Sequence, residues 1–119
     1  MSEGKTYEGS CHCGNVRFEA RADLSKVTEC NCSICSRKGA LMSFVPAEAF
    51  TLKSGEGKTT EYLFGKKHIH HVFCSTCGIH AHAFGDGKDG KTMFMLNVRC
   101  LDGVDTSTLT VNHFDGKKL

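Results

Sequence analysis

The sequence has no tryptophan and one proline, Pro46. It has no apolar run long enough to span a membrane. Its opening, MSEGKTYEGS, lacks the apolar core of a secretory signal. These two absences exclude a membrane partner and point to the cytoplasm, where thiols stay reduced. Dense lysine and arginine runs are also missing, and the formal net charge is only +2. That argues against nucleic acid as a partner. No segment sustains apolar residues at i, i+3, i+4 and i+7 over three turns, which excludes a helix bundle. There is no internal repeat, low-complexity tract or linker. The 119 residues therefore read as one domain, 1–119. A domain of this size buries about two thirds of its unfolded surface, and a core that small gains from a staple.

What the chain does have is alternation. NVRFEARA puts Val16, Phe18 and Ala20 on one face and Arg17, Glu19 and Arg21 on the other. KTMFMLNVRC groups Phe94, Leu96, Val98 and Cys100 opposite Met95, Asn97 and Arg99. TLTVNHF alternates in the same way. Shorter strands are expected at Leu41–Val45, Thr59–Phe64, Ile69–Phe73 and Gly78–Phe84. The separators KSGEGK, FGKK, GDGKDGK and LDGVD are turn-like, and Gly85–Lys91 reads as a hairpin tip. Helical turns are expected only after Cys32 and near Pro46–Phe50. The fold class is mostly β, with six to eight short, mainly antiparallel strands.

There are eight cysteines, and in a reduced compartment they read as metal ligands before disulfides. Cys11 and Cys13, then Cys74 and Cys77, form two tight pairs far apart in sequence, each followed by glycine. Two such pairs can supply the four vertices of a structural zinc site. The third cluster, Cys30, Cys32 and Cys35, supplies only three. Either a histidine (His68, His70, His71, His80, His82 or His113) closes that site, or the fourth position is open, as in catalytic zinc. Cys100 stands alone and reads as a small buried hydrophobe.

The stretches GSCHCGNVRFEA, CNCSICSRKGA, FCSTCG, NVRCLDGVD and HFDGK, in this order, resemble the family of glutathione-dependent formaldehyde-activating enzymes, which includes centromere protein V. They run from Gly9 to about Lys117. The resemblance implies a β-tent, whose sheets lean together over the metals. It implies two zinc ions per chain. One is structural, on Cys11, Cys13, Cys74 and Cys77. The other, with an open position, sits on Cys30, Cys32 and Cys35. It also implies a carbon–sulfur lyase that joins formaldehyde to glutathione as S-hydroxymethylglutathione, so that the partner is a small-molecule thiol.

Three thiolates and Zn²⁺ leave a formal charge of −1, which favours holding a thiolate over activating water. A thiol of ordinary pKa about 8.5 would be ionised on such a metal near neutral pH. The developing alkoxide of a thiol–aldehyde adduct then needs a proton donor. Alternation nominates Asn97 and Arg99 as catalytic residues, with Arg99 available to a substrate carboxylate. Lys38 is either a site for an anionic tail or a solvated lysine. His113 and Asp115 either reach over the site or form a surface pair. His68 and His70 share a face that His71 does not, so the histidines of KKHIHHVFC cannot all converge; that strand, with His80 and His82, reads as a polar face. The rival class is a non-catalytic, zinc-stapled interaction module.

Overall fold

The computed structural model describes residues 4–63, 69–86 and 90–115. Two expected features fall partly outside them: His68, with the end of the Thr59–Phe64 strand, and the centre of the Gly85–Lys91 tip.

The described residues form ten strands in two sheets. In chain order they are β1 (Lys5–Ser10), β2 (Arg17–Ala22), β3 (Val27–Cys30), β4 (Met42–Pro46), β5 (Phe50–Ser54), β6 (Thr59–Tyr62), β7 (Ile69–Cys74), β8 (His82–Asp86), β9 (Thr92–Asn97) and β10 (Val111–Phe114). One α-helical turn, α1 (Cys35–Lys38), follows β3, and a 3-10 turn at Ala47–Ala49 joins β4 to β5. The smaller sheet has the order β1-β2-β5, and the larger the order β10-β3-β4-β9-β8-β7-β6. Every pairing is antiparallel except β10 with β3. The expected mostly-β, tent-like arrangement is what forms, with more strands than expected. β1, β3 and β5 escape the sequence pattern because they are short or mostly exposed.

The alternation in β2 works as expected. Phe18, Ala20 and Ala22 are buried and Arg17 and Arg21 exposed. Together with Val27, Leu41, Val45, Leu96, Val98 and Leu101 they form the main core. Aromatic stacking ties the sheets together here. Phe50 lies 5.2 Å from Phe18 and 4.2 Å from Phe94, ring centre to ring centre.

The large sheet is covered on its other face too. There Cys30, Ala40, Met42, Ala83 and Met95 form a second apolar cluster, against which Cys32 and Cys35 pack. Paired residues in a sheet share a face, so the register shows how this face is built. Phe44 pairs with Met95, Met95 with Ala83, and Ala83 with His71. One row across β4, β9, β8 and β7 thus carries four side chains to the same side, beneath the loop that holds the three cysteines.

Candidate metal centres

The first centre is built from two knuckles. Between β1 and β2 the chain turns back sharply: Cys11 N–H donates to the Val16 carbonyl (3.0 Å) and Val16 N–H to Cys11 Sγ (3.3 Å). After β7, Gly78 N–H donates to the Cys74 carbonyl (2.9 Å), while the N–H groups of Thr76 and Cys77 point at Cys74 Sγ (3.3 and 3.4 Å). Gly14 and Gly78 close these turns at φ +85° and +77°. A side chain there would cost about 1–2 kcal/mol.

The four sulfurs of Cys11, Cys13, Cys74 and Cys77 lie within 4.8 Å of one another. Two of the separations are 3.6 Å (Cys11–Cys13) and 3.5 Å (Cys13–Cys74). A tetrahedron with zinc–sulfur bonds of about 2.3 Å has edges of about 3.8 Å. The electrostatics point the same way. The Cys13 backbone hydrogen bond leads in pulling the Cys77 thiol down to about 6, against the effect of burial. At Cys13 the Asn15 backbone bond also lowers the pKa, but burial and the sulfurs of Cys74, Cys11 and Cys77 outweigh it, pushing the thiol up to about 11. Four thiols this close cannot all ionise without a cation among them. The donor set and spacing fit zinc.

The second centre is local. Cys30 ends β3 and Cys35 begins α1. Cys32 N–H donates to Cys30 Sγ (3.4 Å), and the three sulfurs again lie within 4.8 Å of one another. Among the described residues no histidine, carboxylate or further thiol joins them. Burial, followed by the Cys32 thiol, pushes the Cys35 thiol up to about 12. These three donors could hold a metal.

A chamber of about 490 Å³ opens beside them. The row Phe44–Met95–Ala83–His71 is its floor, with Thr28, Met42, Ile69 and Phe114 around it and Ile34 and Lys38 at the α1 side. Lys38 stands in the last turn of α1, one helical turn past Cys35. Its Nζ is 3.3 Å from His71 Nδ1 and 3.2 Å from His80 Nε2. An ammonium only donates, so both ring nitrogens must accept. His80 Nδ1–H meanwhile donates to the Val72 carbonyl (2.9 Å), which is the tautomer this requires. Burial, then the charge of Lys38, pushes both histidines down to about 4. Both imidazoles are therefore neutral at pH 7. Burial also lowers the pKa of Lys38, while the charges of Cys35, Cys32 and Cys30 raise it.

The two nominated catalytic residues lie at the end of β9 and in the turn that follows it. β9 ends at Asn97, and a 3-10 turn at Val98–Cys100 breaks the alternation. The Asn97 amide donates to the His80 carbonyl (2.8 Å), and its oxygen accepts the Arg99 N–H (3.2 Å). Its side chain is spent on the backbone. Arg99 is exposed within that turn. Neither borders the chamber. The polar-face reading of the histidines fails for His71 and His82, which are buried. His82 packs among Phe18, Phe50 and Phe94, and its Nδ1 has no hydrogen-bond partner. Cys100 is half-buried, its Sγ 3.8 Å from the His80 carbonyl, with burial pushing its thiol up to about 11. His113 meets Glu29 (3.0 Å) and Asp115 accepts from Asn31 (2.9 Å), in a separate hollow that Cys30 and Cys35 also line. The residues that the sequence pattern undervalued are Lys38, His71 and His80. One signal was readable: a residue three beyond Cys35 on a helical turn faces the same way.

A family model described as glutathione-dependent formaldehyde-activating enzyme matches residues 6–114. The chain belongs to that family. Its fold is also similar to the crystal structure of a Rhodobacter sphaeroides protein, at 29% identity and a TM-score of 0.77, over 88% of this chain and 99% of that one. The family match spans both candidate metal centres and every described strand except the first residue of β1. Among the described residues no helix is long and apolar enough to cross a membrane.

Proposed function

We propose that the chain is a zinc-dependent enzyme of the carbon–sulfur lyase type, which makes or breaks the bond between a small-molecule thiol and an aldehyde in the reduced cytoplasm. One zinc, on Cys11, Cys13, Cys74 and Cys77, is structural. The second, on Cys30, Cys32 and Cys35, is the working centre. The observation that carries this reading is three clustered sulfurs with no fourth protein ligand among the described residues, open to a chamber that also holds the half-buried ammonium of Lys38. When bound, the second zinc would hold the substrate sulfur as a thiolate near neutral pH.

The protein's own groups supply the rest. Lys38 offsets the excess negative charge of three thiolates. Two of its N–H bonds are committed to His71 and His80, which aim the third. As the sulfur attacks the aldehyde carbon, the carbonyl π pair moves to oxygen. The oxygen takes a proton from Lys38, and neutral Lys38 regains one from water. In the reverse direction Lys38 removes the hydroxyl proton as the carbon–sulfur bond breaks. A lysine whose pKa is lowered by burial suits both directions. The two neutral imidazoles orient it without competing for its charge.

The test is the exchange rate between free thiol plus formaldehyde and the S-hydroxymethyl adduct, read by NMR on zinc-loaded protein with glutathione as the first thiol. Acceleration is expected, with loss in Cys35→Ala and a drop of about a hundredfold in Lys38→Met. No acceleration, in a protein whose cobalt-substituted form also ignores added thiol, would overturn the reading in favour of the interaction module.

A further inference from the structure

The thiol-site reading leaves the carbon skeleton of the substrate open, and the chamber walls bear on it. The inference below rests on that reading. Apart from the three cysteines, Thr28, Lys38 and His71, the described lining is Ile34, Met42, Phe44, Ile69, Ala83, Met95 and Phe114. Lys38 is the one cation on it among the described residues. The mouth is apolar as well. Phe44, Ile69 and Phe114 are 55%, 45% and 49% exposed, among the largest exposed apolar side chains described. Tyr62 stands in the adjoining hollow with Ile34, Lys38 and His71. Exposed apolar groups gathered around one cavity mark a binding site rather than ordinary surface. The volume is that of a small-molecule site.

Such walls suit glutathione poorly. It carries two carboxylates and an ammonium on a peptide backbone, and a buried carboxylate without a partner is strongly disfavoured. We propose that the chamber takes a thiol, or its aldehyde adduct, with an alkyl or aryl body and at most one anionic group, and prefers it to glutathione. The sulfur sits at the Cys30, Cys32 and Cys35 centre and the body lies along the Phe44–Met95–Ala83 row. A single carboxylate, where present, meets Lys38.

The experiment uses the full chain with cobalt in place of zinc and reads the sulfur-to-cobalt charge-transfer band. The probes are 2-mercaptoethanol, a series of straight-chain alkanethiols, 6-mercaptohexanol, 6-mercaptohexanoate and glutathione. Each methylene buried should tighten binding about fourfold until the chamber is filled. Glutathione should bind at least about tenfold more weakly than 6-mercaptohexanoate. Phe44→Asn, a change at an exposed position, should flatten the chain-length series. Lys38→Met should erase the difference between 6-mercaptohexanoate and 6-mercaptohexanol. A flat series in which every thiol still shifts the band overturns this inference and leaves the thiol site standing. A band indifferent to every thiol overturns the thiol site itself, and the inference with it.

Discussion

The two cysteine clusters use the same side chain for opposite ends. In the Cys11, Cys13, Cys74 and Cys77 cluster, sulfurs 61 residues apart in sequence come within 3.5 Å, so the cluster ties the small sheet's first hairpin to the far end of β7. The Cys30, Cys32 and Cys35 cluster spans six residues and ties nothing distant. It rests on the large sheet and faces a chamber. A closed set of donors between remote segments spends its binding energy on the fold. An open set from one local loop can spend it on a ligand. Sequence separation and ligand count together are what separate the two roles in the reading proposed above.

The largest test of this contrast is removal of one sulfur from each cluster. Structural zinc in small peptides contributes about 10–16 kcal/mol of apparent binding free energy, much of it folding energy. Cys11→Ala or Cys77→Ala should therefore leave an unfolded or insoluble chain, checked by circular dichroism and soluble yield. Cys35→Ala should keep the fold and lose about one equivalent of zinc by metal analysis. Equal collapse in both would erase the distinction.

A smaller effect separates the core from the metal sites. His82 is neutral and buried among aromatic rings, and burial pushes its pKa down to about 4. The unfolded chain takes up that proton near pH 6.5 and the folded one does not, so stability rises with pH between about 4 and 6.5. His82→Leu should remove its own share of that slope, worth up to about 3 kcal/mol, and leave the shares of His71 and His80 and whatever acid sensitivity metal loss produces. Denaturant unfolding of both proteins across this range at matched zinc loading measures the difference. Identical slopes would mean that His82 is protonated in the folded state.

The smallest effects distinguish Asn97 from Arg99. Asn97→Ala removes two buried hydrogen bonds and should cost about 1–3 kcal/mol. Arg99→Ala should stay within about 0.5 kcal/mol. Neither should alter the response of the cobalt-substituted protein to thiols, and a changed response in either would return that residue to the site.

Much of this was legible from local pattern. β2 shows itself by alternation because one of its faces meets the core and the other meets water. The cysteine clusters show themselves because metal knuckles are local in sequence. Asn97 ends β9 on the face of its partner Met42, as alternation expects, whereas Arg99 lies past the point where the backbone becomes a 3-10 turn. Met95 was misread as facing a polar side because the large sheet is covered on both faces, so alternation there separates two apolar layers. The Lys38–His71–His80 group joins residues 33 and 42 positions apart. Only the β7–β8 register and the seat of α1 bring them together, and no local spacing encodes either. The parallel β10–β3 pairing is hidden for the same reason.

The distance between the two halves of the first cluster also sets a clock. At about 5–20 residues per second of synthesis, Cys74 emerges about 3–12 s after Cys13. During that interval the nascent chain presents a bare pair of thiols, while the Cys30 loop has all three of its donors within six residues of its start. The loop can capture metal while the chain is still on the ribosome. On the proposed reading, the four-sulfur clasp has to wait for Cys77, and an oxidant or a competing metal that reaches Cys11 and Cys13 first finds half of its donors without the rest.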